Sequence, residues 1–336
     1  MFTPHPRVCS LLFALLLGAS SVGCQSAEET PSTFVRPALE ETAPSSVVSL
    51  FGDTLTRPPL SARQRTRLMA NLDTALTRFD AAPDEAESFI WLGRRLAYLW
   101  RYQAAIEVFT AGLEVHPLEP RLYRHRGHRY ITVRAFEEAE ADYAEAVRLI
   151  EGTADTVEPD GAPNAAGIPR STLHTNIWYH QGLAYYLQGQ FAAAREAFQR
   201  CLEASPNDDM RVAAADWLYM SLRRLGDEEA AAEVLTLITP EMDLLENQSY
   251  HRRLRMYQGA IAPEALLTAE EAEDRTLTLA TQGYGVANWY LVEGDTARAL
   301  AVMETVLQGD YWAAFGYIAA EADVHRLRGT ERPGLP

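Results

Sequence analysis

The sequence predicts an all-α fold of stacked helical hairpins, and three observations carry that prediction. A 34-residue pattern is written twice, back to back, over residues 86–153. Its first copy holds Phe89, Leu92, Gly93, Leu96, Ala105, Phe109, Gly112 and Pro117; its second holds Tyr123, Arg126, Gly127, Tyr130, Ala139, Tyr143 and Ala146 at the same spacing. Large residues three or four apart around one small residue describe a helix that a neighbour approaches closely. A second helix follows each time, so the unit is a hairpin that buries its inner face only by stacking on others. With 47% of its residues apolar, the chain has the composition of a packed body and not of a disordered one.

The chain starts with an address. His5 and Arg7 precede an apolar run, Val8–Gly18, and small residues then lead to Cys24. A basic start, an apolar core of roughly 7–15 residues and a small-residue zone read as a secretory signal. The run is short for a bilayer span, which takes about 20 residues. Ser21-Val22-Gly23-Cys24 resembles a bacterial lipobox, with Ser21 where that pattern prefers Leu. The resemblance implies cleavage before Cys24, lipid on its sulfur, and a place in the bacterial cell envelope, with Gln25 favouring the outer membrane or its periplasmic face. Of the other cysteines, Cys9 lies in the signal and Cys201 stands alone in the body, so no internal disulfide forms there. Cys201 sits beside Phe198 where the repeat wants a small residue, and reads as buried packing.

Four segments follow from composition: a signal at 1–24, a flexible tether at 25–60, a helical repeat body at 61–328 and a tail at 329–336. The tether carries Pro31, Pro37, Pro44, Pro58 and Pro59; Val47–Phe51 within it is apolar enough to dock on the body. Ser61 caps a helix with Leu68, Leu72, Leu76 and Phe79 on one face, ended by Pro83. It reads as a lid on the first full repeat. Gly127 and Gly182 are one repeat plus 21 residues apart, so a long loop, Gly152–Ser171, separates the second and third copies. Loops of that length are commonly functional or disordered.

The third copy holds Trp178, Gly182, Tyr185, Gly189, Phe191, Ala194, Phe198 and Pro206. A weaker fourth holds Leu218, Tyr219, Leu222, Gly226, Ala231 and Leu235, and a last one Val286, Ala287, Tyr290, Gly294, Ala299 and Met303. Residues 240–279 are degenerate, with a helix suggested by Tyr250, Leu254 and Tyr257 and another opened by Pro263. Trp312–Leu327 reads as a terminal cap helix.

Spacing and residue types in these copies resemble the tetratricopeptide repeat (TPR). The resemblance implies a TPR-like α-solenoid whose first helices line a concave groove, with groove-facing sites at the second, fifth, ninth, twelfth and thirteenth positions of each unit. Carried over, these are Glu87, Ile90, Arg94, Ala97 and Tyr98; Arg121, Arg124, His128, Ile131 and Thr132; and Asn176, Tyr179, Leu183, Tyr186 and Leu187. Arg94 should then neighbour His128, with Arg124 one turn away. A basic cluster inside a chain of net charge −16 is informative, because the surrounding field repels anions. Arginine forks suit carboxylates and phosphates. The candidate groove is thus Arg94, Tyr98, Arg121, Arg124, His128, Asn176, Tyr179 and Tyr186, open to a protein or peptide that is acidic or carboxylate-bearing. The alternative is that these arginines pair with Glu87 and other local acids. Arg126 and Gln181 occupy a site filled by Leu92 in the first copy; buried polar groups need partners. They read as structural or ligand-contacting, with Asp155, Glu158 and Asp160 of the loop available to Arg126.

All 30 basic residues are Arg, a bias of a GC-rich genome or a salty habitat, and the acidic balance excludes a nucleic-acid partner. His125, His128, His174 and His180 cluster near one interface, yet no HExxH, CxxC or acidic metal loop accompanies them, so no metal or other cofactor is assigned. A hydrolase built on His128 or His174 lacks a nucleophile in a recognisable setting. Gly283-Tyr284-Gly285 lies inside a hairpin and not after a strand, so it is no dinucleotide turn. The expected function is therefore a non-enzymatic, protein- or peptide-binding scaffold of the bacterial envelope. Two alternatives stay open: a module for a small anionic or carbohydrate ligand under the 152–171 loop, and an enzyme without a recognisable motif.

Overall fold

The computed structural model describes residues 46–268 and 275–329, with backbone alone at 275 and 276. The chain divides into two units, Met1–Arg36 and Pro37–Pro336, and every described residue belongs to the second. The signal at 1–24, Cys24, the tether before residue 46 and the tail from 330 lie outside the described residues.

Among the described residues there are fourteen helices and one small hairpin. The hairpin pairs β1 (Ser46–Val48) with β2 (Thr54–Thr56) antiparallel, Val47 opposite Leu55. Then come α1 (Ala62–Ala81), α2 (Ala86–Tyr98), α3 (Tyr102–Val115), α4 (Pro120–Thr132), α5 (Phe136–Ile150), α6 (Leu173–Leu187) and α7 (Phe191–Ala204). They are followed by α8 (Asp208–Leu225), α9 (Glu228–Leu235), α10 (Gln248–Tyr257), α11 (Glu264–Leu267), α12 (Arg275–Val292), α13 (Thr296–Leu307) and α14 (Phe315–Arg328). Hairpins α2/α3, α4/α5, α6/α7 and α8/α9 stack in chain order, with α2, α4, α6 and α8 side by side on one face. No helix of the described residues is long and apolar enough to cross a membrane.

Local sequence explains the element ends. Ser61 caps α1 and Gln64 returns the bond in a capping box, while Thr172 and Thr175 do the same for α6. The lid helix α1 meets the first repeat through Phe79, whose ring stands edge-on to Phe89 at 5.1 Å. Inside each hairpin the small residue of the pattern lets a ring from the second helix lie on the first. At Gly182 an added Cβ would sit 2.7 Å from the Phe198 ring, so the hairpin closes only around glycine. Cys201 is buried among these contacts, its Sγ donating to the Thr175 carbonyl at 3.4 Å, and burial pushes the thiol well above its ordinary range.

Two expectations are corrected here. The C-terminal helix does not merely cap the row. α14 is buried along Gly316–Val324 and packs on α12, α13 and α6, against the face that the first helices line. Phe315 stacks near His128, Tyr179 and His180 at 5.1–6.3 Å between ring centroids. Arg134, after α4, donates to Glu321 at 2.6 Å, with 3% and 1% of the two side chains exposed. Arg224 of α8 pairs with Asp323. The concave groove is therefore filled by the chain itself from α4 to α8. The tether is shorter than the expected 25–60: residues 46–56 are folded against this same helix, with Leu50 N–H donating to Glu321 and Trp312 Nε1 to the Thr56 carbonyl at 2.8 Å.

The turn after each first helix shows how tightly this closure is held. Gly189 takes φ +78° there, and at the equivalent positions Trp100 (φ 63°) and Arg134 (φ 67°) hold left-handed backbone that bulky residues avoid. Both side chains reach the C-terminal segment: Trp100 packs 5.0 Å from Trp312, and Arg134 binds Glu321. Breaking a buried ion pair on one side leaves the other charge stranded. Glu321→Ala should destabilise the fold by about 3–5 kcal/mol, read as a lower urea midpoint; a shift within 1 kcal/mol, roughly the value of an exposed pair, would contradict the described seating of α14.

Candidate functional site

One polar cavity of about 340 Å3 lies between α2, α4, α6 and the 152–171 loop. Helix α2 brings Arg94 and Tyr98, α4 brings Arg124, His125, His128 and Arg129, and α6 brings Asn176 and His180. Positions 94 and 128 are one repeat apart, so stacking places them on neighbouring helices and both line the same wall.

The loop closes one side and is itself built. Val157 bridges Thr172, Glu158 N–H donates to the Ser171 carbonyl, and His174 N–H donates to Asp155. Across the cavity, Arg94 donates to the Pro159 carbonyl at 2.9 Å and Arg95 to the Gly161 carbonyl at 2.7 Å. Asn164 donates to Glu246, and Arg170 pairs with Asp209 at 2.8 Å.

Glu158 organises the floor. Its Oε2 accepts from Asn176 at 2.7 Å and lies 3.3 Å from Arg124 Nε; its Oε1 lies 3.2 Å from His125 Nε2. The last two contacts are misaligned, leaving Arg124 Nε and Glu158 Oε1 buried without a hydrogen bond among the described residues. Arg124 Nη1 donates to His125 Nδ1 at 2.8 Å, so the imidazole proton sits on Nε2, facing Glu158. Burial alone would raise the Glu158 pKa; Arg124 and His125 overcome it and hold the carboxyl well below its ordinary range. Burial, reinforced by Arg124, pushes His125 down to about 3, and burial with the same guanidinium pushes His180 down to about 3. His128 is lowered too, chiefly by burial and then by Arg129. His180 Nδ1–H donates to the Asn176 carbonyl at 2.7 Å, leaving Nε2 as an acceptor. The imidazoles are thus neutral near pH 7.

Arg129, which reading the groove positions alone missed, is the freest of the three cations. It lies 5.5 Å over the Tyr102 ring and pairs with no carboxylate among the described residues; burial lowers its pKa. The signal for it was present, since Arg94–Arg95 and His128–Arg129 occupy the same two positions of successive repeats.

The remaining candidates are placed elsewhere. Arg121 pairs with Glu119 at 2.8 Å and with Glu87, as a local ion pair outside the cavity. Tyr179 is buried, its hydroxyl meeting Tyr250 at 2.9 Å and accepting from Trp217 at 2.9 Å. Tyr186 is buried as well, bonded to Asn288 and Tyr284. Neither forms a groove wall, because α12 and α14 cover that face. Arg126 is structural, but its partner is Asp142 of its own hairpin, held through two hydrogen bonds at 2.7 and 2.9 Å, and not a loop acid. Glu158 is spent on Arg124 instead. Gln181 is buried in α6. Among the described residues no group of three or more His, Cys, Asp or Glu is arranged to hold a metal ion.

Hairpins stacked side by side, with first helices on one face and second helices on the other, make this an α-solenoid. Residues 175–208, the third copy, match the model of the tetratricopeptide repeat family. That segment therefore holds a tetratricopeptide repeat, and the helical hairpins before and after it repeat its helix–turn–helix form. No curated protein matches it. Similar solved structures include YrrB, a TPR protein with an unusual peptide-binding site, at 14% identity and a TM-score of 0.41 over 75% of this chain and 99% of that one. A tetratricopeptide repeat protein from Parabacteroides merdae has 16% identity and a TM-score of 0.45 over 78% and 94%. The APC/C hetero-tetramer Cut9-Hcn1 has 16% and 0.44 over 76% and 46%.

The neutral histidines set a pH response. His125 and His180 titrate near 3 when folded and at about 6.5 when unfolded. The unfolded chain therefore binds more protons between those values, and stability falls as pH drops through that window. Glu158, depressed in the fold, adds a loss only below about 4.3, where the unfolded carboxyl takes its proton. The urea midpoint should decline from pH 7 to pH 5, and less steeply in His180→Gln; equal slopes would show that His180 is not held neutral.

Proposed function

We propose that this protein is a non-enzymatic interaction scaffold of the bacterial cell envelope, exported by its N-terminal segment and anchored through lipid on Cys24. It holds a partner by a carboxylate that enters the cavity under the 152–171 loop. The observation that carries this is the convergence of Arg94, Arg124 and Arg129 on one cavity, with Arg129 lacking any acidic partner among the described residues. A guanidinium out of bulk water without a counter-charge favours an anionic group brought to it. The filled inner face turns the partner from a peptide lying along the groove into an acidic group presented to one opening. Binding is favoured over proton transfer, since burial and Arg124 hold His125 and His180 down to about 3, too weakly basic to take a proton near neutral pH.

The test is capture from envelope membranes by the full-length protein. Charge reversal of Arg94 and Arg129 together, with the melting midpoint as folding control, should lower the captured partner at least tenfold, as loss of a charged hydrogen bond of about 1.5–3 kcal/mol requires. Capture equal to wild type in a folded variant would refute the cavity as the binding point. For the anchor, Cys24→Ser should abolish incorporation of labelled fatty acid and release the protein from membranes; a variant that stays labelled and membrane-bound would refute the lipid assignment.

A further inference from the structure

The cavity keeps its two signs of charge apart. The guanidinium groups of Arg94, Arg124 and Arg129 come from α2 and α4, whereas Asp160 belongs to the loop and Glu246 to the segment between α9 and α10. Glu158 lies beneath, already engaged by Arg124, His125 and Asn176. Three cations thus face three carboxylates in one enclosure. A pocket for a net anion, in a chain of charge −16, needs an excess of positive charge. A balanced pocket with separated signs is complementary to a dipole instead.

Two atoms mark the poles. Arg124 Nε, a donor ion-paired with Glu158 at 3.3 Å, and Asp160 Oδ2, an acceptor, are both shut away from solvent and make no hydrogen bond among the described residues. Burial raises the Asp160 pKa; Arg94 opposes the rise and Glu158 adds to it. Such orphaned groups are uncommon in folded proteins, and a ligand that supplies one acceptor and one donor satisfies both.

Shape limits the ligand further. The loop spans the cavity from Glu158 to the Arg94 and Arg95 side chains, and Phe315 packs on His128 and His180 at the other wall. A polypeptide running through is obstructed at both. The volume of about 340 Å3 is at the low end of the small-molecule range.

Building on the carboxylate reading above, we infer that the cavity is a receptor site for a free α-amino acid or dipeptide. The carboxylate faces Arg124 and Arg129, and the ammonium faces Asp160 and Glu246.

The test is saturation-transfer NMR on the full-length protein in detergent. The probes are an equimolar mixture of the twenty L-amino acids and L-alanyl-L-alanine, then the N-acetylated and the C-amidated forms. At least one free probe should bind, with its N-acetylated and amidated forms each at least tenfold weaker. Asp160→Asn should erase the preference over the N-acetylated form, and Arg129→Gln should weaken every carboxylate probe. An N-acetylated probe binding as well as the free one overturns the amino-acid assignment and leaves the carboxylate reading standing. Amides binding as well as acids, or no probe binding at all, overturn both.

Discussion

The seating of α14 against the first helices is the constraint on which the rest of this structure depends. A row of helical hairpins left open would expose the inner ends of α4, α6 and α8 to water. Here that surface is covered by a helix carrying Ala319, Ala320 and Ala322, small enough to lie close, with Glu321 and Asp323 directed at Arg134 and Arg224. Buried acids of this kind add specificity more than stability, because each is expensive to desolvate and favourable only against its own partner. They fix which turn of α14 meets which repeat. The left-handed backbone at Trp100 and Arg134 belongs to the same device: it is held because both side chains end in contacts with the closing segment and the N-terminal hairpin folds over it.

That closure reshapes where a ligand is met. With the inner face occupied beyond α4, the polar surface left over lies toward α2, and the inserted loop walls it off. The result is a small enclosure with a graded interior: neutral imidazoles and the Glu158 network below, guanidinium groups on one side, carboxylates on the other. Low effective dielectric strengthens each of these interactions and penalises each one left unmet. A chain with a large negative charge and no lysine thereby keeps a site where its few converging arginines act at short range.

How much of this was legible in the sequence varied with the range of the interaction. The hairpins were legible because the period, the Gly182 contact with Phe198 and the Ser61 cap depend on residues within one or two turns or one repeat of each other. The shared wall of Arg94 and His128 followed from the same periodicity. The pairing of Arg126 was not, since the loop acids were its expected partners and packing instead brings Asp142 of its own hairpin within 2.7 Å. Tyr179 and Tyr186 fell on groove positions by spacing, yet spacing says nothing of a helix more than a hundred residues later that covers them.

By itself the sequence determined the repeat, the handful of hairpins and the place of the long insertion, because helix periodicity and stacking are local and additive in such arrays. Only the tertiary structure decided that the inner face is filled, that Asp142 and not a loop acid anchors Arg126, and that opposite charges meet around one cavity. The filled face and the walled cavity rest on contacts far apart in the chain, such as Arg134 with Glu321, 187 positions on, and Arg94 with Pro159, 65 positions on. No periodic pattern records them, since each depends on where the folded hairpins come to lie in space.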